Sequence, residues 1–105
     1  MSKTDFDNIG QSLAEEAEVS AGQMFGKPCL KVSSKAFAAF YKEEMVFKIG
    51  FDAVAPLLIK YSGSQKWDPS GKNRAMKDWL QVPADYKEDW PELAKQALAY
   101  VSGKS

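Results

Sequence analysis

A chain of 105 residues with 45% hydrophobic and 27% charged residues has the size and composition of one globular domain spanning residues 1–105, and this excludes intrinsic disorder. Fourteen Lys plus Arg balance fourteen Asp plus Glu, so no overall charge advertises a polyanionic partner. The single cysteine excludes an internal disulfide, and the longest apolar run, Ala53 to Ile59, falls far short of the ~20 residues that span a membrane.

The opening Met1 to Asp7 lacks the apolar stretch of a secretion signal, so the cytoplasm is the expected compartment. Phe6, Ile9, Leu13 and Ala17 then recur at helical spacing, with Glu15, Glu16 and Glu18 between and beyond them, which predicts an amphipathic first helix. From Met24 through Gly26-Lys27-Pro28 to Val32 the pattern is extended, and the spacing predicts one long strand bent or bulged at Gly26. Turns at Ser33-Ser34 and Lys42-Glu43 separate it from strands at Ala36–Tyr41 and Met45–Ile49, the last with one buried face.

After Gly50, Asp52 is placed to cap a short helix carrying Val54, Leu57, Leu58 and Ile59, with Pro56 in its first turn. Gln65-Lys66-Trp67 reads as a short strand, Asp68-Pro69-Ser70-Gly71 as a turn, and Ala75 to Val82 as a returning strand ended by Pro83. Asp89 three residues ahead of Glu92 fits a capping box, with Pro91 in the first turn and Leu93, Ala94, Ala97, Leu98 and Val101 along one face of a closing helix. The expected architecture is α+β: a two-layer sandwich with a five-stranded antiparallel sheet in the order αβββαββα.

The inventory of reactive groups is restrictive. Without histidine, serine and cysteine triads lose their usual base and zinc its commonest nitrogen ligand. Cys29 sits in an apolar run and reads as core, and the pairs Glu15-Glu16 and Glu43-Glu44 as solvated surface. The stretch from Gly63 to Asn73 ends in Gly-Lys, but its glycine spacing is too long for a phosphate loop and Asn73 stands where Ser or Thr is needed. A calcium loop fails too, with Lys72 and Trp79 where oxygen ligands belong. No enzymatic activity, cofactor or metal is therefore expected.

Charge is uneven along the chain. Lys60, Lys66, Lys72, Arg74 and Lys77 face only Asp68 between positions 60 and 77, whereas Asp5, Asp7, Glu15, Glu16 and Glu18 face only Lys3 before Val19. Tyr61 and Trp67 lie within the basic segment, and rings among cations suit base stacking. The plainer reading is that both rings cover the sheet edge and the lysines are solvated; the lone arginine is poor equipment for bidentate phosphate recognition. Lys66, Trp67, Lys72, Arg74 and Lys77 are the candidate contacts for a nucleic acid or a protein partner, and the loop containing Asp68, Ser70 and Gly71 belongs with them.

Met24-Phe25-Gly26, the meander ending Met45-Val46-Phe47-Lys48-Ile49, the tail Met76 to Pro83, and Trp90 with Leu93-Ala94 resemble the amino-terminal domain of TfoX-like proteins. The related YjbR-like small bacterial proteins look similar in that tail. This resemblance implies a layout shared with type III secretion chaperones, often dimeric, and a link to transcription and competence. It offers packing and turn residues rather than an active site. Met24, Phe25 and Gly26 read either as a recognition edge or as a bulge between core residues, and Trp79 and Trp90 either as pocket walls or as packing. The expectation for function is a regulatory or adaptor module that binds another protein through a sheet edge or a dimer-built surface, with nucleic-acid binding through the basic segment as the alternative.

Overall fold

A computed structural model describes residues 2–15, 18–24, 26–68 and 76–103. Three helices, α1 (Ser2–Ala14), α2 (Phe51–Lys60) and α3 (Trp90–Ser102), accompany strands β1 (Val19–Met24), β2 (Lys27–Val32), β3 (Lys35–Tyr41), β4 (Glu44–Lys48), β5 (Gln65–Lys66) and β6 (Trp79–Val82). A short 3-10 turn, Ala84–Asp89, leads into α3. All the strands pair antiparallel in one six-stranded sheet of order β1-β2-β3-β4-β6-β5.

The sixth strand corrects the expected five. Gly26 does not bend one strand; it turns the chain back, at φ 74°, so that Met24 pairs with Lys27 and β1 folds antiparallel onto β2. Glycine tolerates that left-handed backbone, whereas most side chains resist it. The bulge lies elsewhere. Leu30 pairs with Ala38 but Lys31 with Ala36, which leaves Phe37 as the extra residue of β3. Phe37 and Ala38 consequently both join the core beneath the helices, while Ala36 packs on the opposite face.

The helices cover one face of the sheet. Phe6, Ile9 and Leu13 of α1, Val54 of α2, and Trp90, Leu93, Ala94 and Ala97 of α3 bury themselves against Leu30, Met45, Phe47, Leu80 and Val82. Full burial of a side chain the size of Leu or Phe contributes about 1.5–3 kcal/mol, so this face holds most of the hydrophobic stabilisation. Gly10 sets how close α1 comes: a Cβ there would sit 2.8 Å from Leu30 Cδ2. The second face carries a smaller cluster of Cys29, Ala39, Tyr41, Val46, Trp67 and Trp79, with Met24, Ala36 and Met76 at its margin. Met45 and Phe47 thus serve one core and Val46 the other, so β4 is buried on both sides.

Several local expectations shift. Gly50, not Asp52, caps α2, and Asp52 lies in the first turn. Pro56 is the sixth residue of that helix rather than part of its first turn, and its missing N–H removes one intrahelical hydrogen bond. Trp67 lies beyond β5, and β6 begins at Trp79; Ala75 falls outside the described residues. Asp89 is the N-cap residue of α3, yet its side chain makes no capping hydrogen bond. That carboxylate accepts instead from the Tyr61 hydroxyl at 2.9 Å.

Candidate functional site

β1 is an outer strand of the sheet, and its sequence Val-Ser-Ala-Gly-Gln-Met contains neither a charge nor a proline. Exposed edges are usually blunted by such residues or covered by another element, because their outward N–H and C=O groups template strand addition. Here the usual devices are missing from the strand itself. Three of its residues, Ser20, Ala21 and Gln23, are exposed, as is the preceding Glu18.

Pairing fixes which side each residue takes. Val19 faces Val32 and Ala21 faces Leu30 on the helix side, whereas Ser20 faces Lys31 and Gly22 faces Cys29 on the second face. Between α1 and β1 runs a groove of about 330 Å³, floored by the buried Phe6 and Leu30 and bordered by Val19 and Ala21 on one side and Asp7 and Gln11 on the other. An added strand alternates its side chains, so every second residue of a strand paired to β1 would point to the side of the sheet on which this groove lies.

The electrostatics of the two sides differ. On α1, Lys3 bridges Asp7 at 3.1 Å, while Glu15 and Glu18, which flank the link from α1 to β1, are exposed and make no ion pair among the described residues. On the second face, the Lys31 side chain lies across Gly22: a Cβ on that glycine would meet Lys31 Cε at 3.0 Å and Nζ at 3.4 Å. The Cys29 thiol beneath is fully buried, and burial pushes its pKa up against the lowering pull of Lys31. A thiol in that setting is a poor nucleophile.

The residues singled out from sequence fall at the other end of the sheet. Lys66 is exposed on β5 and Lys77 is exposed in the turn before β6, while Lys72 and Arg74 lie outside the described residues. Trp67 is completely buried, its ring centroid 5.0 Å from that of Trp79 and 5.7 Å from that of Tyr41. Its backbone N–H donates to the Trp79 carbonyl at 3.3 Å and its carbonyl accepts from Met76 at 2.8 Å. Tyr61 is buried as well, edge-on to Tyr86 at 5.0 Å. In these positions neither ring offers a face to a nucleobase. Trp79 and Trp90 are packing residues, in the second-face and helix-side cores respectively. Phe25, Ser70 and Gly71 also lie outside the described residues.

Sequence reasoning offered Met24, Phe25 and Gly26 as a recognition edge but missed β1 as a strand of its own, because β1 and β2 read as one strand. A signal for it exists: Gly26 sits between two extended runs, where a two-residue hairpin wants glycine. Among the described residues no three His, Cys, Asp or Glu side chains gather as metal ligands would, and no helix is long and apolar enough to cross a membrane. The chain matches no protein-family model, no curated protein and no solved structure in the comparisons made.

Proposed function

We propose that this chain is a small, non-enzymatic regulatory or adaptor module of the TfoX amino-terminal-like kind, which binds another protein through the β1 edge of its sheet. The observation that carries the reading is the edge strand itself: six residues without charge or proline, beside an apolar-floored groove on the helix side of the sheet. Backbone pairing supplies affinity in such complexes and the groove supplies selectivity. The family part of the proposal is supported by the residues from Met76 to Pro83 and by Trp90, Leu93 and Ala94, on which the resemblance rests.

The nucleic-acid alternative is weakened by the burial of Trp67 and Tyr61, because stacking platforms must be exposed. Among the described residues, what remains for it is the charge of the exposed Lys66 and Lys77. A photo-crosslinking residue placed at Gln23 tests the proposal, with the same residue at Lys66 as the control. A discrete protein adduct formed from position 23, and not from position 66, is the expected result. Adducts from position 66 alone, or salt-sensitive DNA binding in an anisotropy titration at two salt concentrations, would reverse the order of the two readings.

A further inference from the structure

We infer that two copies of this chain associate through their α2 helices, packed antiparallel about a two-fold axis that passes between Ala55 and Pro56. This surface lies apart from β1, and the inference does not depend on the reading of that edge.

The inward side of α2 is accounted for by Val54 in the core, with Ala53, Leu57 and Leu58 partly buried against it. Phe51, Asp52, Ala55, Pro56, Ile59 and Lys60 are exposed. Helical spacing sorts these six into two adjacent rows, Phe51-Ala55-Ile59 and Asp52-Pro56-Lys60. The first row is wholly apolar, with Phe51 61% and Ile59 85% exposed. Tyr100 is the other large apolar side chain left exposed among the described residues, and its ring lies against Gly50 at the start of α2, where a Cβ would sit 2.7 Å from Tyr100 Cε1. Exposed apolar residues scattered singly are ordinary, but here all three gather around one short helix.

Each row is complementary to its own reversal. Turned end for end, the first row sets Phe51 against the partner's Ile59 and Ala55 against the partner's Ala55. The second row sets Asp52 against the partner's Lys60 and Pro56 against the partner's Pro56. A two-fold axis perpendicular to both helices keeps each row on its own side of the seam, so apolar side chains meet apolar ones and the charges pair with opposite sign. The small side chain of Ala55 stands at the centre, where the two backbones come closest. Neither charge is committed elsewhere: Asp52 and Lys60 form no ion pair among the described residues, and the Lys60 ammonium stands 5.4 Å from the ring centre of its neighbour Tyr61. A parallel pair would instead set aspartate beside aspartate and lysine beside lysine, so repulsion selects the antiparallel direction.

The helix is about 15 Å long, which places the contact at the small end of interface sizes and makes the dimer a reversible one, formed at roughly tens of micromolar. α2 packs on β6, whereas β1 is the outer strand at the opposite side of the sheet, so the pairing leaves a β1 edge free on each copy.

The test is sedimentation of the full chain from about 5 µM to about 0.5 mM, a range that brackets such a dimer. The parent is expected to dimerise within it. Ile59→Glu and Ala55→Arg change exposed positions and keep the fold, checked by an unchanged urea midpoint, and both are expected to stay monomeric. Asp52→Lys or Lys60→Asp alone is expected to weaken association about tenfold, and the two together in one chain to restore it, because the swap re-forms the same pairs in the reverse sense. Under mild oxidation Ala55→Cys is expected to cross-link two copies and Ile59→Cys not to, with the buried Cys29 silent. A parent that is monomeric throughout the range overturns the inference and gives this face to a foreign segment. A dimer that Ile59→Glu leaves intact and Ala21→Arg dissociates overturns it in favour of pairing through β1. A charge swap that fails to rescue, or cross-linking from position 59 rather than 55, overturns the antiparallel register.

Discussion

The Tyr61 hydroxyl donates a 2.9 Å hydrogen bond to the Asp89 carboxylate, joining the end of α2 to the start of α3 across 28 residues of sequence. Tyr61 is buried and its ring stands edge-on to Tyr86, whose own hydroxyl donates to the Ser62 carbonyl at 2.9 Å. The two tyrosines hold the α2 exit against the turn that precedes α3. Tyr61→Phe leaves the ring packing and removes only the donor, so it should destabilise the fold by about 1–2 kcal/mol, read as a lower urea midpoint with an unchanged slope.

The same contact makes a pH prediction. Burial raises the Tyr61 pKa above its ordinary value, and the hydrogen bond and charge of Asp89 raise it further. The folded state thus holds the phenolic proton more tightly than the unfolded state does. That contribution is complete below the ordinary tyrosine value of about 10 and is lost as pH rises through the folded value. The stability difference between the parent and Tyr61→Phe should therefore hold constant to about pH 10 and shrink above it. A difference that grows with alkalinity in denaturant titrations would reject this assignment.

Cys29 should be chemically silent in the native protein. It has no exposed surface, and its thiol is pushed upward chiefly by burial. A disulfide reagent at neutral pH should label it only at the rate of unfolding, and denaturant should bring the reaction to completion. Rapid labelling of the folded chain would contradict the burial.

The turns from β2 to β3 and from β3 to β4 are built on strained backbone. Ser33 and Ser34 have φ of 50° and 67°, and Lys42 and Glu43 have φ of 49° and 61°, the pattern of turns that favour Asn-Gly. Glu43→Gly or Ser34→Gly relieves one left-handed residue, which costs roughly 1–2 kcal/mol, and returns part of that through the greater freedom of the unfolded chain. A net gain of about 0.5–1 kcal/mol is expected from each, measured as a higher thermal midpoint.

Trp67 should behave as a core residue rather than as a contact. Trp67→Ala empties the second-face cluster beside Tyr41 and Trp79 and should cost about 3–5 kcal/mol. Lys66→Ala and Lys77→Ala, both exposed, should stay within about 0.5 kcal/mol of the parent. Denaturant unfolding of the three variants checks the ranking, and a mild Trp67→Ala would remove the basis for treating that ring as structural.

What the sequence determined by itself was the set of elements with strong local periodicity or turn chemistry. The spacing of Phe6, Ile9 and Leu13 specifies α1, the run from Leu93 to Ala97 specifies α3, and the alternation of Met45 and Phe47 marks one buried face of β4, because side-chain direction follows a period of 3.6 in a helix and 2.0 in a strand. The antiparallel α+β class follows from that order of elements. Three things were decided only by tertiary structure. Whether Gly26 bends a strand or reverses it depends on whether residues 19–24 find a partner in β2, a long-range pairing that glycine merely permits. Whether Asp89 caps α3 or receives Tyr61 depends on where α2 ends in space. Whether Trp67 meets solvent or a second core depends on the far face of the sheet, to which Val46, Trp79 and Tyr41 contribute from three different strands. In each case the local sequence is compatible with both outcomes, and contacts between residues distant along the chain select one of them.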